Sequence, residues 1–358
     1  MNILVISLAG IGDTLLVTPM IHELRASFPD ARIDALVLWA GARDFLEGNP
    51  HLNAIYQWDF IRESKPASLG FLLKLRRQGY DASINTHPQS RIYYRIIARI
   101  LGAPVRISHT YECSGMLDRL LVNRTLAQNY QQHTVENNLA LLSFLGVKPR
   151  AGSHELEIFL SPADWEWAET FLSEKQLLKQ QLLGVHVGSG STKNLALKRW
   201  PLEHYLRLFK QLKESWPGLT VLLFGGPAEE QDLKRVMAEV DPAFAVRAET
   251  KNLRQAAALM TKCTAFLSVD NALMHLAAAM KVKRQIVIEA PTLNRTNEPY
   301  GNPYVLVRNP AVAGRNLDYY RYDGGPIRRT DAELRQCMAS ISVEAVFKAV
   351  NESLAGPD

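Results

Sequence analysis

The chain has 358 residues, of which 47% are hydrophobic and 22% charged, and a formal net charge of +5. This is enough apolar material for two cores, and no run approaches the ~18 consecutive apolar residues of a membrane span. Cys113, Cys263 and Cys337 are far apart and odd in number, which excludes a disulfide framework and a cysteine-spaced zinc site.

In chain order, the apolar strand Asn2–Leu8 comes first, with no basic leader ahead of it, so a cytoplasmic protein is expected. Ala9-Gly10-Ile11-Gly12-Asp13 follows, then an apolar helix, Thr14–Ser27. Ligands of open α/β sheets collect outside the carboxyl ends of the strands, so the small residues Gly10 and Gly12 would admit a substrate beside Asp13. An Asp here also caps a helix and meets the positive end of its dipole, and taken alone that is the commoner use. Position 15 is Leu, and no Gly-Lys-Ser/Thr follows, so the loop is neither a dinucleotide fingerprint nor a P-loop.

Strand-like Arg32–Leu38, helical Ser68–Gln78, strand-like Ala82–Asn85, helical Arg91–Leu101 and strand-like Val105–Ser108 continue a βαβ rhythm, the pattern of a doubly wound parallel sheet. His87 and Gln89 follow a strand end and are candidates to line an acceptor pocket, against the plainer reading of an ordinary loop. Arg91, Arg95 and Arg99 either face an acidic ligand or form a solvated helix face. A helical stretch, His133–Leu145, and the polar segment Lys148–His154 then break the rhythm, and Ser161-Pro162 signals a new helix start.

A second series runs through Leu182–Val187, Leu202–Trp216, Thr220–Phe224, Ala228–Glu239, Leu253–Met260, Ala265–Val269, Ala272–Met280 and Gln285–Ile288. The reading is two Rossmann-like domains, 1–160 and 175–340, facing a central cleft, with a last helix in 341–358 packing across both. Clefts of this kind are where small molecules bind. In the second half, Gly188-Ser189-Gly190-Ser191-Thr192-Lys193 and Lys198-Arg199-Trp200-Pro201 suit a diphosphate. Small residues bare backbone amides, the hydroxyls of Ser189, Ser191 and Thr192 donate, and Lys198 supplies a point charge. A flexible loop with a solvated Lys fits the first piece equally well.

A strand end then passes into an Ala-rich helix at Asp270-Asn271-Ala272, with His275 one turn inside. Amides of Asn271 and Ala272 at this helix mouth attract an anion, and His275 could bond the same ligand. Individually, Asp270 as an N-cap and His275 as a buried histidine are the commoner outcomes. Glu229 or Glu230, just past a strand end, is placed to bind ribose hydroxyls or to stabilise a first turn.

Taken together, Gly12-Asp13 with Pro19, His133 with Glu136-Asn137-Asn138-Leu139, Lys198-Arg199-Trp200-Pro201, Phe224-Gly225-Gly226, and Val269-Asp270 through His275-Leu276-Ala277 resemble the inverting glycosyltransferases of family nine. These are the bacterial heptosyltransferases of lipopolysaccharide core assembly. The resemblance implies a GT-B fold, an acceptor-binding first domain, and a second domain holding a nucleoside-diphosphate sugar. It implies Asp13 as catalytic base, and Lys198 with the helix mouth stabilising the leaving diphosphate in place of a metal. ADP-heptose is the implied donor, a saccharide or glycolipid the acceptor, and no cofactor or metal is expected.

The chain departs from the family pattern at Asn271-Ala272, where a Cβ replaces a glycine, and at Glu289-Ala290-Pro291-Thr292 with Arg295, Thr296 and Asn297. Alternatives are therefore another nucleotide-sugar, an acceptor other than lipopolysaccharide, or a catalytically silent nucleotide-sugar binding module. The basic balance favours acidic partners and fits peripheral contact with the inner membrane face. No nucleic-acid-binding signature is present.

Overall fold

The computed structural model describes residues 1–149, 154–190, 195–323 and 325–356. They fall into two compact units, Met1–Phe159 with Tyr322–Gly325, and Leu160–Arg321 with Pro326–Asp358.

The first unit runs β1 Asn2–Ser7, α1 Ile11–Leu15, α2 Thr18–Ser27, β2 Arg32–Val37, α3 Ala40–Leu46, β3 Ala54–Gln57, α4 Lys65–Arg76, β4 Ala82–Asn85, α5 Ile92–Leu101, β5 Val105–Thr110, α6 Met116–Leu121, β6 Arg124–Ala127 and α7 Thr134–Ala140. All pairings are parallel, in the order β3-β2-β1-β4-β5-β6. The long helix expected over Thr14–Ser27 is two, because Pro19 has no amide to donate and is tolerated only in the first turn of a new helix. Leu4, Ile6, Leu36, Leu72, Leu75, Ile97 and Leu101 form the core beneath α4 and α5. Chain direction reverses across the sheet between β3 and β4, and right-handed crossovers put α4, α5 and α6 side by side on one face.

The second unit contains α8 Pro162–Glu174, β7 Gln181–His186, α9 Leu202–Ser215, β8 Leu219–Phe224, α10 Glu230–Glu239, β9 Ala245–Arg247, α11 Leu253–Met260, β10 Ala265–Val269, α12 Ala272–Ala279, β11 Gln285–Ile288, β12 Tyr304–Val307, α13 Asn316–Tyr319, α14 Asp331–Ala339 and α15 Val343–Ala355. Its sheet, β12-β11-β10-β7-β8-β9, repeats the topology of the first. Ser161 caps α8, its hydroxyl accepting from the Asp164 amide at 3.3 Å. α15 packs with α9 against the sheet, placing Val346, Val350 and Leu354 in this unit's core. Trp200 is buried there too, its indole donating to the Ile341 carbonyl at 3.0 Å.

Candidate active site

In each sheet the strand order reverses at one place, between β1 and β4 in the first and between β7 and β10 in the second. Ligands of doubly wound folds bind outside the strand ends at such a point. Asp13 and His87 follow β1 and β4; the Gly188–Lys198 stretch and the Asp270–His275 stretch follow β7 and β10. Among the described residues, Asp13, His87, Ser189, Lys198, Asp270, Asn271 and His275 therefore lie at a switch point, whereas Glu229 and Glu230 follow the neighbouring strand β8.

Asp13 stands in the first turn of α1 and is 5% exposed. Its Oδ2 accepts the Gly10 amide at 2.6 Å, so the capping role is real. A Cβ at Gly10 would lie 2.9 Å from that oxygen, which is why a glycine stands there. Capping leaves Oδ1, and that oxygen accepts the phenol hydroxyl of Tyr322. Tyr322 belongs to the segment that returns to the first unit, where Asp323 accepts from the Tyr130 hydroxyl at 3.3 Å. The sequence reading did not single out Tyr322, since nothing local ties a residue 309 positions downstream to Asp13.

His87 stands in the turn after β4 and is fully buried, so its side chain packs inside the first unit. Its amide donates to Asn138 Oδ1 at 2.8 Å, its ring stacks on Tyr111 at 5.7 Å, and it contacts the Tyr322 ring at 5.8 Å. Burial, reinforced by His109 and His133, holds its pKa well below the usual histidine value, so it remains a neutral support behind Tyr322. Gln89 is buried as well and donates to the carbonyls of Ile6 and Thr86. Arg95 fits neither of its readings. It is 0% exposed, pairs with Asp118 at 3.0 Å and donates to the carbonyls of Ser90 and His109 at 2.8 and 3.0 Å.

In the second unit Lys198 and Asp270 form a buried pair at 3.2 Å. The same Asp270 oxygen accepts from Thr292 Oγ1 at 2.5 Å and Asn297 Nδ2 at 3.3 Å. Asp270 is thus the fixed counter-charge of Lys198, and the cap of α12 is Asn271, whose Oδ1 accepts the Met274 amide at 3.0 Å. Asn271 Nδ2 also donates to the Gly188 carbonyl at 3.2 Å, joining the loops after β7 and β10. By helix geometry the amides of Ala272 and Leu273 have no intrahelical acceptor, and both residues are partly exposed. His275 is 2% exposed, and its Nδ1 has no hydrogen-bond partner among the described residues. Burial, only partly countered by Asp270, brings its pKa down to about 4, so the ring is neutral at physiological pH.

Ser189 and Glu229 are occupied within the fold. Ser189 Oγ donates to the Leu195 carbonyl at 2.6 Å. Glu229 accepts from the Gly226 amide at 3.0 Å and from Arg199 at 3.1 Å. Burial alone would raise the Glu229 pKa; His186, Gly226 and Arg199 outweigh it and hold the carboxylate ionised. A Cβ at Gly188 would come within 2.2 Å of Glu229 Cγ, so the loop after β7 is seated directly on this side chain. Glu230 pairs on the surface with Arg247 at 2.6 Å. Ser191 and Thr192 lie outside the described residues. Thr292 and Asn297, noted in the sequence only where the family pattern is broken, turn out to brace Asp270.

Two repeats of one doubly wound topology, the first with a carboxylate at its switch point and the second with the Lys198–Asp270 pair beside a helix N-terminus, make up a GT-B fold. A model of glycosyltransferase family 9 (heptosyltransferase) matches residues 70–320, and the chain belongs to that family. Lipopolysaccharide heptosyltransferase 3 of Escherichia coli is 28% identical over 288 residues, which span 75% of this chain and 77% of that protein. Lipooligosaccharide heptosyltransferase 2 of Haemophilus influenzae is 25% identical across 99% of this chain and 100% of its own length. The same fold is found in a family 9 glycosyltransferase from Veillonella parvula, with a TM-score of 0.77, 21% identity and coverage of 99% and 97%. It recurs in the E. coli ADP-heptose lipopolysaccharide heptosyltransferase II, with a TM-score of 0.73, 21% identity and coverage of 99% and 98%.

Proposed function

We propose that this glycosyltransferase moves a heptose from ADP-heptose to a lipopolysaccharide-core acceptor with inversion at the anomeric carbon. Asp13 takes the proton of the acceptor hydroxyl, whose oxygen attacks the anomeric carbon as the bond to the diphosphate breaks, and ADP departs. The Ala272 and Leu273 amides, with Lys198, receive the charge that develops on the leaving phosphate. His275 donates or accepts one further hydrogen bond in its neutral form. Ser189 and Glu229 act indirectly by holding the loop after β7 in place. The observation that carries this reading is the Asp13 carboxylate, held by Gly10 and Tyr322 at a switch point, in a chain of family 9. An adenine nucleotide donor is supported by an E. coli heptosyltransferase of the same fold solved with ADP.

The donor assignment is checked by thermal melting with ADP-heptose, GDP-, UDP- and TDP-sugars. At a hundredfold excess over Kd, ADP-heptose is expected to add about 2.7 kcal/mol to the stability of the unit that binds it. Stabilisation by a uridine or guanosine sugar in its place would move the donor assignment, and stabilisation by none would remove it. Mass spectrometry of a core-oligosaccharide acceptor then separates transfer from silent binding.

A lipid-borne acceptor calls for a membrane-facing surface, and the outer face of α4–α6 fits one. A solvent-facing helix normally turns polar residues outward. Here α5 buries Tyr94, Ile97 and Leu101 yet leaves Ile92, Tyr93 and Ile96 41–42% exposed. α6 exposes Met116, Leu117 and Leu120 by 62–82%, and Leu69 and Leu73 on α4 extend the surface. Exposed Arg91, Arg99 and Arg119 flank it, while the acidic residue of α6, Asp118, turns inward to Arg95. Apolar side chains among arginines suit an anionic bilayer surface, where each basic group adds about 1 kcal/mol. Among the described residues no helix is long and apolar enough to cross a membrane, so the contact proposed is peripheral. In co-sedimentation, vesicles containing phosphatidylglycerol are expected to bind the protein and pure phosphatidylcholine vesicles not to. L117E/L120E should lose binding while keeping transfer to a delipidated acceptor. Undiminished binding by that variant would rule out this face.

A further inference from the structure

The first unit carries a second concentration of ligand-type side chains, away from the strand ends at its switch point. His22 on α2, His51 in the turn after α3 and Glu157 in the extended stretch ending this unit place one ligand atom each within 4.8 Å of the other two. Glu157 stands between the two imidazoles, with Oε1 2.8 Å from His22 Nδ1 and Oε2 3.4 Å from His51 Nε2. Four ligands at zinc distances around a tetrahedral ion are about 3.3 Å apart, and the two imidazole–carboxylate separations, one to each oxygen of Glu157, lie on either side of that distance. Glu157 Oε2 is buried and has no hydrogen-bond partner, although His51 Nε2 is its near neighbour. An acceptor lone pair shut away from water and left unused is costly unless something else occupies it.

The framework around the three groups is fixed independently of them. The Glu157 amide donates to Thr18 Oγ1 at 2.9 Å, and Phe159 meets the His51 ring edge-on at 5.9 Å. Arg25, a cation close by, is committed to oxygen acceptors, its guanidinium donating to the carbonyls of Pro29, Ala31 and His51 at 2.7, 2.8 and 3.2 Å and to Asn53 Oδ1 at 2.8 Å. His22 is 48% exposed, which leaves an open side from which an ion enters and water completes its shell.

We propose that His22, His51 and Glu157 form a binding site for a zinc-like divalent transition-metal ion, which ties the stretch ending at Phe159 to α2 and the α3–β3 turn. Two imidazoles and one carboxylate select zinc, cobalt or nickel over magnesium and calcium, which require oxygen ligands. The site is structural, and it stands or falls independently of the proposed reaction.

The test uses the full chain after chelator treatment, titrated with zinc by calorimetry in a non-coordinating buffer. One equivalent is expected to bind at micromolar Kd or tighter, with no heat from magnesium and a rise in melting temperature. Cobalt in place of zinc should give the visible absorption of a four- or five-coordinate nitrogen–oxygen site. H22A and E157Q should each weaken zinc binding by about a thousandfold, more than the 10–100-fold lost when only a supporting partner is removed. Both variants should melt like the metal-free wild type, which establishes that they are folded. Zinc binding weaker than micromolar, or binding unchanged in the H22A/H51A double variant, would overturn the proposal.

Discussion

Replacing Asp13 by Asn is expected to lower kcat by about 10³–10⁴-fold, the upper part of the range for a general base, while ADP binding measured by calorimetry stays within about twofold of wild type. The amide keeps the shape of the carboxylate and an oxygen for the Gly10 amide, but has no basic site for the acceptor proton. Tyr322→Phe separates positioning from proton transfer. Its hydroxyl bonds the ionised form of Asp13, so its removal should raise the pKa of the base and move the acidic limb of the kcat profile to higher pH. A purely structural Tyr322 would lower the melting temperature and leave that limb where it was. Turnover surviving in D13N would dispose of Asp13 as the base.

Lys198→Met should produce the largest loss of stability at the site. The ammonium and the Asp270 carboxylate are 7% and 5% exposed, and removing one member strands the other charge inside. Breaking such a pair costs about 3–5 kcal/mol, because an uncompensated buried charge is left behind. Thr292 and Asn297 soften the loss, since both already donate to the surviving oxygen. Adding Asp270→Asn to K198M should return much of the stability by removing that charge. Activity should not return with it, because the leaving diphosphate still lacks its cation, and kcat/KM should remain about 10²–10³ below wild type. Melting curves and kinetics on the two singles and the double decide the matter; K198M melting like wild type would mean that the pair is solvated in solution.

The central strands were legible because burial on both faces gives unbroken apolar runs, as in Asn2–Ser7 and Leu219–Phe224. The edge strands β3, β6, β9 and β12 were not. They are three or four residues long and largely half-exposed, so neither alternation nor a continuous run marks them. At the site, the residues on strand–helix turns could be read from local pattern, and Asp13, Lys198, Asp270 and His275 all lie where the switch points fall. Their partners could not. Tyr322, Thr292 and Asn297 act through contacts made only after folding, and the guanidinium of Arg95 looks in sequence like any other surface arginine. The His22–His51–Glu157 cluster is hidden for the same reason, its members being drawn from three separate elements with no motif spacing.

The short stretch Tyr322–Gly325 is counted with the first unit although more than 160 residues separate it from Phe159. The first unit is therefore discontinuous in the gene. A fragment cut at Phe159 would retain the proposed base yet lack the phenol that steadies it, so attempts to express the two halves separately, or to exchange them between relatives, must carry this late segment along with the early one.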